Sequence, residues 1–123
     1  MRYALSLLIL AVTPLLAHHS FDAEYDANKT ATLTGIVTKV EWINPHAFIT
    51  IDFKEESGAM KTYTVELGPP YALVRGGWKR ETVKIGDKVT MEAVALAKDG
   101  SNRAGSTQDT RMVLASGQKL PMR

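Results

Sequence analysis

The sequence contains no cysteine, which excludes a disulfide framework, a thiolate zinc site, a cysteine nucleophile and a lipid-modified cysteine at a processing site. Charge of one sign is equally scarce. Fifteen Lys and Arg stand against thirteen Asp and Glu, a net +2, too little for the field of a dedicated nucleic-acid binder. There is no HExxH, no GxSxG, no phosphate-binding loop and no Gly-rich dinucleotide fingerprint. Glu41, Asp52 and Glu66 fall on strand segments, but any domain this rich in acids offers such carboxylates, and a hydrolase is disfavoured. What remains, in 123 residues of which 45% are apolar, is one domain held together by its core alone.

One long apolar run exists, and it lies at the start. Met1 and Arg2 precede the stretch Tyr3 to Leu16, which only Ser6, Thr13 and Pro14 interrupt. This reads as a signal peptide over residues 1–17, with the small Ala17 at the cleavage position. Ala11 as the cleavage position and an uncleaved anchor are the alternatives, although the run is shorter than the roughly 20 apolar residues of a spanning helix. Contact with a membrane is therefore expected only through this segment before cleavage. Cleavage after Ala17 gives a chain that begins His18-His19-Ser20-Phe21 in the periplasm or outside the cell.

Residues 18–30 show neither helical nor strand period and read as an acidic arm anchored by Phe21 and Tyr25. From residue 31 the pattern is that of strands. Ile36, Thr38, Val40 and Trp42 share a face on the first, with a bulge suggested at Gly35. Ala47, Ile49, Ile51 and Phe53 alternate with polar residues on the second. Glu55 to Ala59 is a hairpin loop, and Tyr63, Val65 and Leu67 line the third strand. Pro70 opens a helix of one to two turns that Gly76-Gly77 stops. Val89, Met91, Ala93 and Ala95 form a fourth strand, Lys98 to Asn102 reverse the chain, and the last strand falls near Thr110 to Leu114. Ser116-Gly117 then makes a terminal hairpin. The expected fold over residues 31–123 is all-β with one short helix. A helix between strands three and four is the element order of an OB-like Greek-key barrel. Ile36, Val40, Ile49, Ile51, Val65, Leu67, Val89 and Met91 are its expected core.

Histidine occurs three times, as His18, His19 and His46, and export would put two of these at a new amino terminus. An α-amine with a pKa near ~8 can join the imidazole of its own residue to chelate a metal, and His46 can supply a third nitrogen for copper. Without a metal, His18 and His19 are solvent-exposed residues past a cleavage site and His46 caps a turn. A thioether site using Met60 and Met91 is the weaker metal reading, because methionines on strands are usually core filler. Trp42, Trp78, Lys79 and Arg80 form a second candidate site. Aromatic rings beside cations suit a small anionic ligand, an anionic glycan or a protein partner in the envelope, with nucleic acid disfavoured by the charge balance.

The motifs His18-His19-Ser20-Phe21, Trp42 with Asn44-Pro45-His46, Glu66-Leu67-Gly68, Gly77-Trp78-Lys79-Arg80 and Gly86-Asp87 resemble those of an uncharacterised family of exported bacterial proteins, a domain of unknown function. The resemblance spans nearly all of the chain after residue 17. It implies an exported β-barrel domain and assigns no activity. The chain departs from the family's pattern at Pro70-Tyr71 and over Ala104 to Asp109. In outline it is also similar to small periplasmic OB-fold proteins that bind ligands or copper, a likeness of fold alone.

Overall fold

In the computed structural model, residues 20–123 are described. The expected signal segment, His18 and His19 lie outside them. Residues 20–24 are helical and lead into seven strands and one further helix: β1 (Tyr25–Glu41), β2 (Phe48–Lys54), β3 (Met60–Glu66), α1 (Pro70–Arg75), β4 (Lys88–Ala97), β5 (Arg103–Gly105), β6 (Arg111–Val113) and β7 (Lys119–Pro121). The strands pair in the order β1-β2-β3-β5-β4-β6-β7, and β4 also pairs with β1. The circuit β1-β2-β3-β5-β4 therefore returns to its starting strand, with β3 and β5 parallel and every other pair antiparallel. This is an OB-like Greek-key arrangement, with α1 between β3 and β4.

β1 can serve two neighbours because it is long and irregular. Its first part pairs with β4 and its last part with β2. The strand begins at Tyr25, well inside the stretch whose composition reads as an arm, because Tyr25 and Asp26 pair with Ala97 and Leu96. Ala27 to Lys29 then bulge out before pairing resumes at Thr30. Val37 faces Ile51 and Lys39 faces Thr50, so Thr38 has no partner in β2. One unpaired residue reverses the faces of everything after it. Leu33 and Val37 are buried ahead of the bulge, and Val40 and Trp42 pack on the core after it. Ile36, expected in the core, is 43% exposed. A similar slip shifts the inward positions of β4. Ala93 adopts φ +58 and is only half-buried, while Val94 and Ala95 are buried.

Gly35 is needed for close approach rather than for a bulge. A Cβ placed there would lie 2.3 Å from the backbone oxygen of Asp52 on β2. Gly35→Ala is expected to destabilise the protein by about 1–3 kcal/mol, the usual cost of overpacking, although alanine is the better strand former. A thermal melt that rises on this substitution would show that the two strands separate freely.

The core collects Ile49, Ile51, Val65, Leu67, Leu73, Val89, Met91 and Met112 from all sides of the circuit. Pro70 starts α1 and the backbone N–H of Gly76 closes it onto Ala72, with Leu73 the buried residue. The chain end then seals this side of the barrel. Gly68 donates to the Met122 carbonyl at 2.9 Å, and Trp78 Nε1 donates to the Pro121 carbonyl at 2.7 Å. Among the described residues no helix is long and apolar enough to cross a membrane.

Candidate functional site

The β2–β3 hairpin is in register from Phe48–Glu66 to Lys54–Met60. The β1–β2 loop is tied to its end by two backbone bonds, from Leu67 N–H to the Ala47 carbonyl and from Ala47 N–H to the Gly68 carbonyl. This brings His46, just before Ala47, beside the outward-facing Glu66, with Nδ1 3.0 Å from Oε1. Neither group is fully exposed: the side chains keep 30% and 19% of their accessible surface.

Glu66 is shared. Tyr25 on β1 lies near it, and burial first, then interaction with the Glu66 carboxylate, push the Tyr25 hydroxyl well above the ordinary tyrosine range. Tyr25 therefore stays protonated beside the Glu66 carboxylate. Arg103 on β5 donates to the Tyr25 oxygen at 3.4 Å. Tyr25 is 2% exposed, and Phe21 packs on it with ring centroids 5.0 Å apart. Both rings lie over Gly105, where a Cβ would come within 2.7 Å of each. The arrangement is a ladder of polar groups, His46–Glu66–Tyr25–Arg103, drawn from a loop and three strands.

Chemically, the Glu66 contact selects the tautomer of His46 that carries its proton on Nδ1, leaving the Nε2 lone pair as an acceptor or ligand. Among the described residues no group of three His, Asp or Glu side chains could by itself hold a metal. His46 is one donor of the expected set, and His18 and His19 lie outside the described residues. The thioether alternative fails on placement: Met91 is sealed in the core while Met60 is exposed.

The second expected site is divided by the structure. Trp78 is 3% exposed and belongs to the core, which corrects its assignment to a ligand surface; an indole with a backbone partner for its N–H can be buried at no polar cost. Its ring backs that of Trp42, 6.4 Å away and tilted by 29°. Trp42 and Arg80 line an open groove of ≈ 520 Å³ together with Val83, Lys84 and Ile85. Lys79 is exposed and does not line that groove.

The residues that sequence reading left without a site role are Tyr25, Arg103, Lys84 and Ile85. Hairpin symmetry could have paired His46 with Glu66, since a loop centred on Ser57 sets Phe48 opposite Glu66. Nothing local announces that Tyr25, some forty positions earlier, reaches the same carboxylate.

Fold and site together define an OB-like barrel domain carrying a half-buried histidine–carboxylate pair and a separate cationic groove. The chain belongs to the family of unknown function DUF6152, whose model matches residues 6–107. No curated protein and no solved structure matches it.

Proposed function

We propose that this protein is an exported, non-enzymatic binding domain, periplasmic or secreted. It holds a transition metal through His46, His18 and His19, and an all-nitrogen donor set of this kind suits copper. The observation that carries the reading is the 3.0 Å contact of His46 Nδ1 with Glu66. Metal-ligating histidines commonly give their second ring N–H to a carboxylate, which fixes the tautomer, orients the ring and raises its basicity.

The reach of the arm agrees with this reading. Phe21 packs against Tyr25, so a tether of two or three residues, at most about 7–11 Å when extended, joins His19 and His18 to a ring already beside the Tyr25–Glu66–His46 ladder. Removal of residues 1–17 would free the α-amine of His18 to chelate together with its imidazole.

Calorimetry and EPR with Cu(II) test the proposal on four proteins: the chain beginning at His18, the same chain with one added N-terminal glycine, His46→Ala and Glu66→Gln. The glycine moves the amine out of the chelate ring and keeps every side chain, so weaker binding is expected. His46→Ala should also weaken it, and Glu66→Gln should cost about 10–100-fold, as loss of a ligand's carboxylate partner does. Equal affinity across the four would rule out the amino-terminal chelate. Failure of the His18 chain to bind copper, zinc or nickel at micromolar concentration would rule out the metal reading, and an intact mass retaining residues 1–17 after export would remove the free amine on which it depends.

A further inference from the structure

The groove beside Trp42 shares no residue with the histidine ladder. Its inner wall is apolar: Val83 is buried, and Val40 and Trp42 are half-buried. Trp42 does not stand free but is backed by the buried Trp78 ring, so its orientation is set before anything binds. On the rim stand Arg80, Lys84 and Ile85. Ile85 is 71% exposed at the tip of a turn, which is held by Asp87 accepting from the Lys84 backbone N–H at 2.9 Å and by Gly86 N–H donating to the Val37 carbonyl. A large aliphatic side chain is thus presented to solvent on a well-anchored turn. Ile43, next to Trp42 in sequence, is exposed as well.

The groove lining carries two cations, Arg80 and Lys84, and one acid, Glu81. Neither Arg80 nor Lys84 forms an ion pair with a described residue, whereas Lys39, Lys61 and Lys119 do. Between Lys79 and Lys88 the sequence carries four cations and two acids, and the side chain of one of those acids, Asp87, is engaged in closing the turn. An apolar trough with unpaired cations on its rim complements a ligand that is apolar at its centre and acidic around it.

We infer that this groove docks an acidic segment of a partner protein, with one bulky aliphatic or aromatic side chain seated on Trp42 and carboxylates meeting Arg80 and Lys84. Concavity favours a peptide over a bilayer. A trough of ≈ 520 Å³ takes a side chain and its neighbours, while an anionic membrane would have to meet Glu81, which also lines the groove. A peptide avoids that carboxylate by its sequence.

The test pans a phage-displayed random peptide library on the protein beginning at His18, and counter-selects on Arg80→Glu. Recovered peptides should carry Asp or Glu on both sides of a large apolar residue. A synthetic copy should perturb the fluorescence of Trp42 and the amide resonances of Val83 to Ile85, and should bind at least about tenfold more weakly to Arg80→Glu and to Ile85→Ser, the scale of loss expected at an anchor position. Both substituted residues are exposed, so circular dichroism should show folded variants. Peptides without acids, or equal binding to both variants, would overturn the inference. So would recovery of no peptide while the protein sediments with phosphatidylglycerol vesicles in a manner that Ile85→Ser abolishes, which would make the surface a membrane contact.

Discussion

Trp78→Ala is expected to lower the unfolding free energy by about 3–5 kcal/mol, the range for truncating a buried aromatic. The ring is sealed between Trp42 on one side and the β7 end of the chain on the other, and its N–H satisfies the Pro121 carbonyl. Truncation opens a large cavity and orphans that carbonyl together. A domain of this size has only about 5–15 kcal/mol in total, so the variant should lose a large share of its stability and melt at a clearly lower temperature. Trp78→Phe separates the two contributions, since it keeps most of the apolar volume and removes the donor. Its cost should be about 1–3 kcal/mol, that of one unsatisfied buried acceptor. Urea titration of both variants checks the expectation, and a loss below about 1 kcal/mol for alanine would place Trp78 outside the core.

Ile51→Ala is the second large effect, with an expected loss of about 2–5 kcal/mol. Ile51 is fully buried on β2, paired with Val37 of β1 and Tyr63 of β3. Two neighbouring strands hold its backbone, so the surroundings cannot collapse into the space left by the lost methyl groups. Ile36→Ala is the matched control: the same chemistry on the adjacent strand, at a side chain 43% exposed, should change stability by no more than about 0.5 kcal/mol. Equal losses at the two positions in a denaturant titration would mean that the face of β1 has been misassigned.

The contrast between these two isoleucines shows where local pattern stops being informative. Alternation on β2 is unbroken, so Ala47, Ile49 and Ile51 are core residues both by pattern and in the fold. On β1 the same alternation spans the unpaired Thr38, and a count of every second residue carried through it sends Ile36 to the wrong side. Whether a strand bulges depends on which residues oppose it, which is a property of its neighbours. β5 is lost to sequence reading for a related reason. Arg103-Ala104-Gly105 is too short to show a period, and it is a strand because it lies between β3 and β4.

The candidate sites divide in the same way. His46 is singled out by the rarity of histidine, and its partner Glu66 follows from the symmetry of a hairpin legible in sequence. Tyr25 joins them only because β1 curves far enough to pair with the end of β4. Trp78 looks like a surface aromatic because glycines and cations flank it, and those neighbours are indeed largely exposed. Its burial was decided by the carboxy-terminal strand, some forty residues away, folding over it.

Sequence alone thus determined the order of the elements apart from β5: the alternation of β2 and β3, a Pro-initiated helix between β3 and β4, the turns, and the scarcity of charge and histidine that narrows the chemistry. These are short-range properties, set by side-chain period, the fixed φ of proline and composition. Only the tertiary structure decided which face of β1 is inward, that β5 exists, that Trp78 is core, and that His46, Glu66 and Tyr25 meet. Each of these depends on contacts between residues distant along the chain, and their register is fixed by closing the circuit of strands around one core.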